Sequence, residues 1–375
     1  MKIKLNTKNL NKILSVLMKT VSSKNTIPIL DNFLVKVEPE KVTFTASDLE
    51  TTITATVPAL EIDTKGKVNF AVPAKVLSQL LSNMPEGEMT IEHIADTANV
   101  NISWSNGSSS LPVFNWIDYP EIKGVNPVTD KILFGQGFLK SALNKTVSII
   151  NTGDTANLRP ALGGVYFDLK KEGTTIVGTD SHMISCVETP VEGENPFILP
   201  AKAAMLLKSM LDNEGEISVV SDGKNAKFTF GNFWLQATLI NAKFPNYKVI
   251  IPDNNPNIMK VKKDLLTAVL KRMMVCANNA TKVITFNLSY NIATVNAQDL
   301  AFAISAKEEM PCEYDGEDME IGFKATAFLQ ILNNLDSDEI EIRFMDSKKA
   351  TLIIPTEENY KNEPVKSVIM PCLIK

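Results

Sequence analysis

The sequence predicts an α+β chain made of three divergent copies of one unit of about 125 residues, each a helix, several strands, a second helix and several more strands. Two recurring landmarks predict it. Residues 72–92, 199–219 and 321–342 each read as a short strand, a Lys, an apolar helix, an acidic turn and a second strand, and Lys75, Lys202 and Lys324 hold matching places at offsets of 127 and 122 residues. The second landmark is VTFTASDLE at 42–50, TIVGTDSHM at 175–183 and ATVNAQDLAF at 293–302, which aligns Asp48, Asp180 and Asp299. Two landmarks in the same order at similar spacing are hard to obtain by chance from β-rich segments.

The elements follow in order within each copy. Residues 6–20 place Leu10, Ile13, Leu14 and Leu17 at helical spacing, and 138–150 and 260–277 occupy the same position in later copies. A second helix follows at 74–83, 201–211 and 324–335. Between the helices lie alternating runs such as Phe33-Leu34-Val35-Lys36-Val37 and Phe228-Thr229-Phe230, which read as strands. The Pro- and Asn-rich stretches KGVNPVTD at 123–130 and PDNNPN at 252–257 read as linkers. The expected domains are therefore 1–124, 129–251 and 257–375.

Composition narrows the class. With 44% apolar and 22% charged residues the chain reads as a soluble globular protein, and no run of 18 apolar residues offers a membrane span. The start, MKIKLNTKNL, lacks an apolar signal region, so the cytoplasm is the expected location. Cys186, Cys276, Cys312 and Cys372 lie far apart without CxxC spacing, and only His93 and His182 are histidines. That stock predicts free thiols, no metal and no cofactor.

Net charge is −5, which by itself argues against nucleic acid, but the charge is unevenly placed. The six expected helices hold fourteen of the 38 Lys and Arg and one of the 43 acids, Asp264, a net of +13 against −18 for everything else. A solvated helix ordinarily mixes both signs for pairing one turn apart. Helices that exclude carboxylates at equivalent positions of three repeats build a surface for polyanions. Lys8, Lys12, Lys140, Lys145, Lys263 and Lys271 belong to this set. Asn and Ser at other helix positions suit phosphate contact without base identity.

The chain resembles the β sliding clamps of bacterial replicative DNA polymerase over essentially its whole length. The resemblance rests on Thr26-Ile27-Pro28-Ile29-Leu30, Ser47-Asp48-Leu49-Glu50, Val72-Pro73-Ala74-Lys75, Met84-Pro85-Glu86-Gly87, Thr179-Asp180-Ser181-His182, Lys243-Phe244-Pro245-Asn246-Tyr247, Glu320-Ile321-Gly322-Phe323 and Val368-Ile369-Met370-Pro371. Each is short, and their joint order is specific. It implies three DNA-clamp domains per chain and a head-to-tail dimeric ring, helices lining the hole and sheets outside. Duplex DNA would pass through without sequence readout. At positions matching the family's DNA contacts stand Lys24, Lys75, Lys202 and Arg159.

The resemblance also implies a hydrophobic cleft between the second and third domains. It would bind short linear motifs of the polymerase, the clamp loader and repair proteins. The matching residues are Leu162, Thr179, His182, Met183, Ile184, Pro245, Val249, Ile250, Val368, Ile369, Met370 and Pro371. Here Met183 stands where the family often has Arg, Ser181 where it often has Gly, Ala327 where some members have Tyr and Cys372 where Met is common; these departures bear on the cleft's gate and peptide preference. For the homodimer, the resemblance points to an edge strand within 101–113 pairing with a strand of the partner's third domain, beside Val275 and Cys276.

Catalysis finds little support. Thr179-Asp180-Ser181-His182 offers an acid, a hydroxyl and an imidazole, but its repeat counterparts keep only the Asp, so a turn role fits better. Gly135-Gln136-Gly137 and Gly163-Gly164 lack any phosphate-loop pattern, and the basic helices lack the interleaved aromatics of a single-strand binder. The competing readings are a β-rich hydrolase with an interdomain site and a clamp-like peptide scaffold that does not bind DNA.

Overall fold

The computed structural model describes residues 1–21, 25, 27–94, 98–127, 130–150 and 158–374. They form two compact units, residues 1–137 with 206–239 and residues 138–205 with 240–375. The boundary between them runs through the second repeat, because each long sheet joins strands of neighbouring copies.

Six helices stand at the repeated positions: α1 (Thr7–Leu17), α2 (Ala74–Ser82), α3 (Gln136–Val147), α4 (Ala201–Met210), α5 (Lys263–Cys276) and α6 (Ala325–Leu332). Each follows directly on a strand. In α1 the Asn6 side chain accepts from the Asn9 N–H at 3.1 Å, closing one of the open donors of the first turn, and Leu10, Ile13, Leu14 and Leu17 are buried. In α6 the buried stripe includes Phe328, which meets Phe323 edge-on at 5.2 Å and sits 5.9 Å from Phe286. The expected helix at 260–277 starts later. Residues Asn257–Lys262 form a strand against Glu339–Phe344, with Asn257, Met259 and Val261 buried and Lys260 and Lys262 exposed. A period of two, read there as helix, is the reason for that correction.

In the first unit, a five-stranded sheet runs Ala59–Asp63, Lys2–Asn6, Glu88–Glu92, Asn99–Trp104, Gly107–Pro112. An eight-stranded sheet runs Ile132–Gly135, Glu216–Ser221, Asn225–Phe230, Phe233–Thr238, Thr51–Val57, Lys41–Ser47, Asn32–Glu38, Val68–Pro73. Here copy two joins copy one, through Phe233–Thr238 against Thr51–Val57 with Ala237 opposite Thr51.

In the second unit, a nine-stranded sheet runs Phe197–Pro200, Gly164–Lys170, Gly173–Thr179, Met183–Thr189, Val365–Ile369, Thr351–Pro355, Glu339–Phe344, Asn257–Lys262, Glu313–Tyr314. A four-stranded sheet runs Ile304–Pro311, Ile292–Asp299, Val283–Ser289, Met319–Lys324. Copy three joins copy two at the same repeat position, through Val365–Ile369 against Met183–Thr189 with Ile369 opposite Met183.

The repeated Asp makes the turn before that joining strand. Asp48 Oδ1 accepts from the Glu50 and Thr51 amides at 3.1 and 2.7 Å, and Asp180 Oδ1 from His182 and Met183 at 2.8 and 2.7 Å. The residue after each Asp is left-handed, Leu49 at φ 78° and Ser181 at φ 77°. This conformation suits glycine, and the two bonds to each Asp side chain hold Leu49 and Ser181 in it. Among the described residues no helix is long and apolar enough to cross a membrane.

Candidate functional site

The turn at Asp180 delivers one wall of a cavity of about 500 Å³ in the second unit. The segment 158–162 supplies Arg159, Pro160, Ala161 and Leu162; the turn and its strands supply Thr179, Ser181, His182 and Ile184; the segment after the second copy supplies Ala242, Lys243, Pro245, Tyr247 and Ile250; copy three supplies Val368 and Met370. Met370 is tied in by its amide, which donates to the His182 carbonyl at 3.0 Å. Beneath lies a core of Val177, Ile184, Cys186, Ile198, Phe244, Tyr247, Leu352, Ile354 and Val368. Burial there pushes the Cys186 thiol far above its usual range, so it stays protonated and inert. Eight of the twelve residues expected at the cleft line this cavity.

Met183, Ile369 and Pro371 instead line a neighbouring cavity of about 360 Å³, which also touches His182 and Met370 and is bounded by Lys324, Ala327, Gln330 and Cys372. Val249 lines neither cavity; at 75% exposure it points to solvent, a correction to its expected place. On the three-residue turn Tyr247–Val249 the buried side chain is Tyr247, while Lys248 and Val249 are exposed. Tyr247 was missed, although it ends the Lys243–Tyr247 motif; an aromatic there reads equally well as plain core.

The repeats show what sets the copy-two face apart. On the same face of the equivalent strands, copy one pairs Thr45 with Thr54 and Ser47 with Thr52, copy two Val177 with Cys186 and Thr179 with Ile184, and copy three Asn296 with Lys307 and Gln298 with Ser305. In copy one the hydroxyls bond across the strands at 2.7 and 2.8 Å. On this face copy two carries apolar side chains, with Ile184 lining the cavity and Val177 and Cys186 in the core beneath it.

The basic residues divide. Lys12, Lys75, Lys202 and Lys271 are exposed on their helices and Lys140 is half-buried. Lys75 and Lys202 occupy the first turn of α2 and α4, where no acid accompanies them, and Lys324 caps α6 likewise. A cation there opposes the helix dipole, so its repetition is not explained by helix stability. Lys8 is exposed and pairs with Glu86 at 3.0 Å. Lys263 donates to the Leu335 carbonyl at 2.9 Å. Arg159 is on the cleft wall. Lys24 lies outside the described residues.

Lys145 is a correction. Only 3% exposed, it bonds Asp336 at 2.5 Å, Glu363 at 3.2 Å and the Ser141 hydroxyl at 2.8 Å, so its charge is consumed inside the protein. At the end of α5, Val275 is 78% exposed and Cys276 half-buried. The strands Gly107–Pro112 and Ile304–Pro311 are each the last of their sheet.

Family models for the N-terminal, central and C-terminal domains of the DNA polymerase III beta subunit match residues 1–123, 135–246 and 248–373. The chain belongs to this family. It is 27% identical to the beta sliding clamp of Caulobacter vibrioides over 99% of both chains, and 26% identical to that of Proteus mirabilis over 94% of both. Among solved structures it superposes on the sliding clamp of Caulobacter crescentus with a TM-score of 0.89 at 26% identity, covering 100% of both chains. The Pseudomonas aeruginosa clamp bound to griselimycin shares the fold, with a TM-score of 0.92 at 21% identity over 100% of both chains. The three clamp domains of α+β architecture expected from the sequence are those of the family.

Proposed function

We propose that this beta subunit is a DNA sliding clamp, an accessory subunit without catalysis of its own that closes as a homodimeric ring around duplex DNA and tethers its polymerase. The domain division at 1–124, 129–251 and 257–375 is part of this reading. Lys12, Lys75, Lys202, Lys271 and Lys140 would face the phosphates, and the cleft at Leu162, His182, Ile250 and Met370 would take short motifs of the polymerase, the clamp loader and repair proteins. Weak phosphate attraction suffices where topology retains the ring, and tethering raises the partner's effective concentration at the DNA.

The observation that carries the ring is the repeated strand junction. Copies one and two, and copies two and three, join through equivalent strands in one register. The third pair of equivalent edges is Gly107–Pro112 of copy one and Ile304–Pro311 of copy three. Transferring the register sets Leu111 opposite Ile304, and Ser110 opposite Ser305, of a second chain. Cross-strand neighbours lie within disulfide reach. Ser110→Cys with Ser305→Cys should therefore give an intermolecular crosslink on mild oxidation, and Ser110→Cys with Ala306→Cys, which face opposite sides, should not. The reverse pattern, or a monomer mass at micromolar concentration, would overturn the register or the dimer.

The DNA reading has its own test. The protein is loaded on a nicked circle by its cognate loader and the circle is then cut once. A ring held by topology leaves the linear product within the time needed to slide off; protein retained on it would refute encirclement.

A further inference from the structure

We propose that Asp168 is a positioning residue for the cleft, holding the Tyr247 ring in place as its wall; this rests on the reading of that cavity as the peptide site. Asp168 is buried on the strand Gly164–Lys170, behind the cavity rather than in it. Its carboxylate accepts from the Tyr247 hydroxyl at 2.7 Å and from Tyr166 at 3.4 Å, and pairs with Lys170 at 2.9 Å and Lys248 at 3.8 Å. Burial pushes this carboxyl upward, but the Tyr247 hydroxyl and the two lysines outweigh it and hold it below the usual range, so it is charged at neutral pH.

The consequence reaches the ligand through the aromatic ring. Tyr247 lines the cavity, and its hydroxyl is anchored by Asp168, which is not among the lining residues. Its ring meets Phe244 and Tyr166 edge-on, each at 6.4 Å, and those two stack at 4.4 Å. Its carbonyl accepts from the Ile250 amide at 3.1 Å, so the same anchor fixes the turn that presents Ile250 to the cavity. A charge-assisted bond restricts the ring to one orientation before any ligand arrives, which lowers the ordering cost of binding.

The repeats single this acid out. Leu34, Tyr166 and Thr285 are equivalent, opposite Ala71, Ile198 and Gly322, the three residues whose carbonyls accept the returning chain from Phe114, Ile240 and Cys372. Two residues on, the copies carry Lys36, Asp168 and Asn287. The acid occurs only in the copy that has the apolar cleft.

The test uses the full chain and a labelled ten-residue peptide ending in Leu-Phe, with affinity read by fluorescence anisotropy. Asp168→Leu is expected to weaken binding about tenfold, and Asp168→Asn, which keeps an acceptor oxygen, to restore it to within about threefold of the parent. In a Tyr247→Phe background, Asp168→Leu should add no further loss. Parent-like binding by Asp168→Leu, or a full additional loss in the Tyr247→Phe background, would overturn the assignment. Should Asp168→Leu fail to fold, Tyr247→Phe decides alone, and unchanged affinity overturns it. The Ile250→Asp variant separates the two readings: if the parent binds and this variant does not, the cleft stands and only the positioning role is at issue. A parent that does not bind, or an Ile250→Asp variant that binds as the parent does, rejects the cleft itself and the positioning role with it.

Discussion

Lys145→Ala is expected to destabilise the second unit by about 3–5 kcal/mol, the usual cost of leaving one partner of a buried ion pair behind. Glu363 would be that partner. Its side chain is 7% exposed and accepts from the Asp336 and Ser337 amides at 2.7 and 2.8 Å and from the Ser337 hydroxyl at 2.5 Å, so it is fixed beside Lys145 and cannot turn to water. The bond to Asp336 contributes less, because that side chain is 75% exposed and screened. Lys145→Met combined with Glu363→Gln should recover only part of the loss, since it removes both charges but leaves one acceptor oxygen where the Asp336 and Ser337 amides each use one. Urea unfolding followed by far-UV circular dichroism checks both variants; tryptophan fluorescence would not, because Trp104, Trp116 and Trp234 all lie in the other unit. A loss below about 1 kcal/mol for Lys145→Ala would show that the pair is not coupled to folding.

Lys145 also marks where the sequence stopped being informative. A Lys on an amphipathic helix among helices without acids reads as surface, and nothing in α3 signals that Asp336 and Glu363, 191 and 218 positions later, will meet it. Composition along a helix tells which residues are basic; only the fold tells which of them still face water. Lys12, Lys75, Lys202 and Lys271 remain exposed, whereas Lys263 is drawn to a carbonyl and Lys8 to a carboxylate.

The architecture was legible for a different reason. Each repeat brings the same local signals, a Lys-headed apolar helix and an Asp turn, and local signals survive divergence because helix packing and turn geometry constrain them directly. The sharing of sheets between copies was not legible. Phe233–Thr238 and Val365–Ile369 look like ordinary alternating strands, and their partners lie in another copy. The cleft sits between these cases. Its residues came from family resemblance, yet the contrast of Val177, Ile184 and Cys186 with the Thr and Ser of copy one was present in the aligned repeats from the start.

That contrast sets the second large effect. Converting the copy-two face to the copy-one set, with Val177→Thr, Ile184→Thr and Cys186→Thr, is expected to weaken the Leu-Phe peptide by about 100-fold, because the Ile184 wall that an apolar anchor would meet gains a hydroxyl and the core beneath it at Val177 and Cys186 loses apolar packing. The fold should persist, since Thr45 with Thr54 shows that a facing pair of hydroxyls satisfies itself on this strand geometry at 2.7 Å, and the new Thr pair at 177 and 186 inherits that register. Position 184 would face Thr179 as Thr52 faces Ser47. Anisotropy titration gives the affinity, and circular dichroism with light scattering verifies that the variant is folded and unchanged in mass. A folded variant that still binds within about threefold of the parent would mean that the peptide draws its affinity from elsewhere, because an aliphatic floor replaced by hydroxyls should remove more than that.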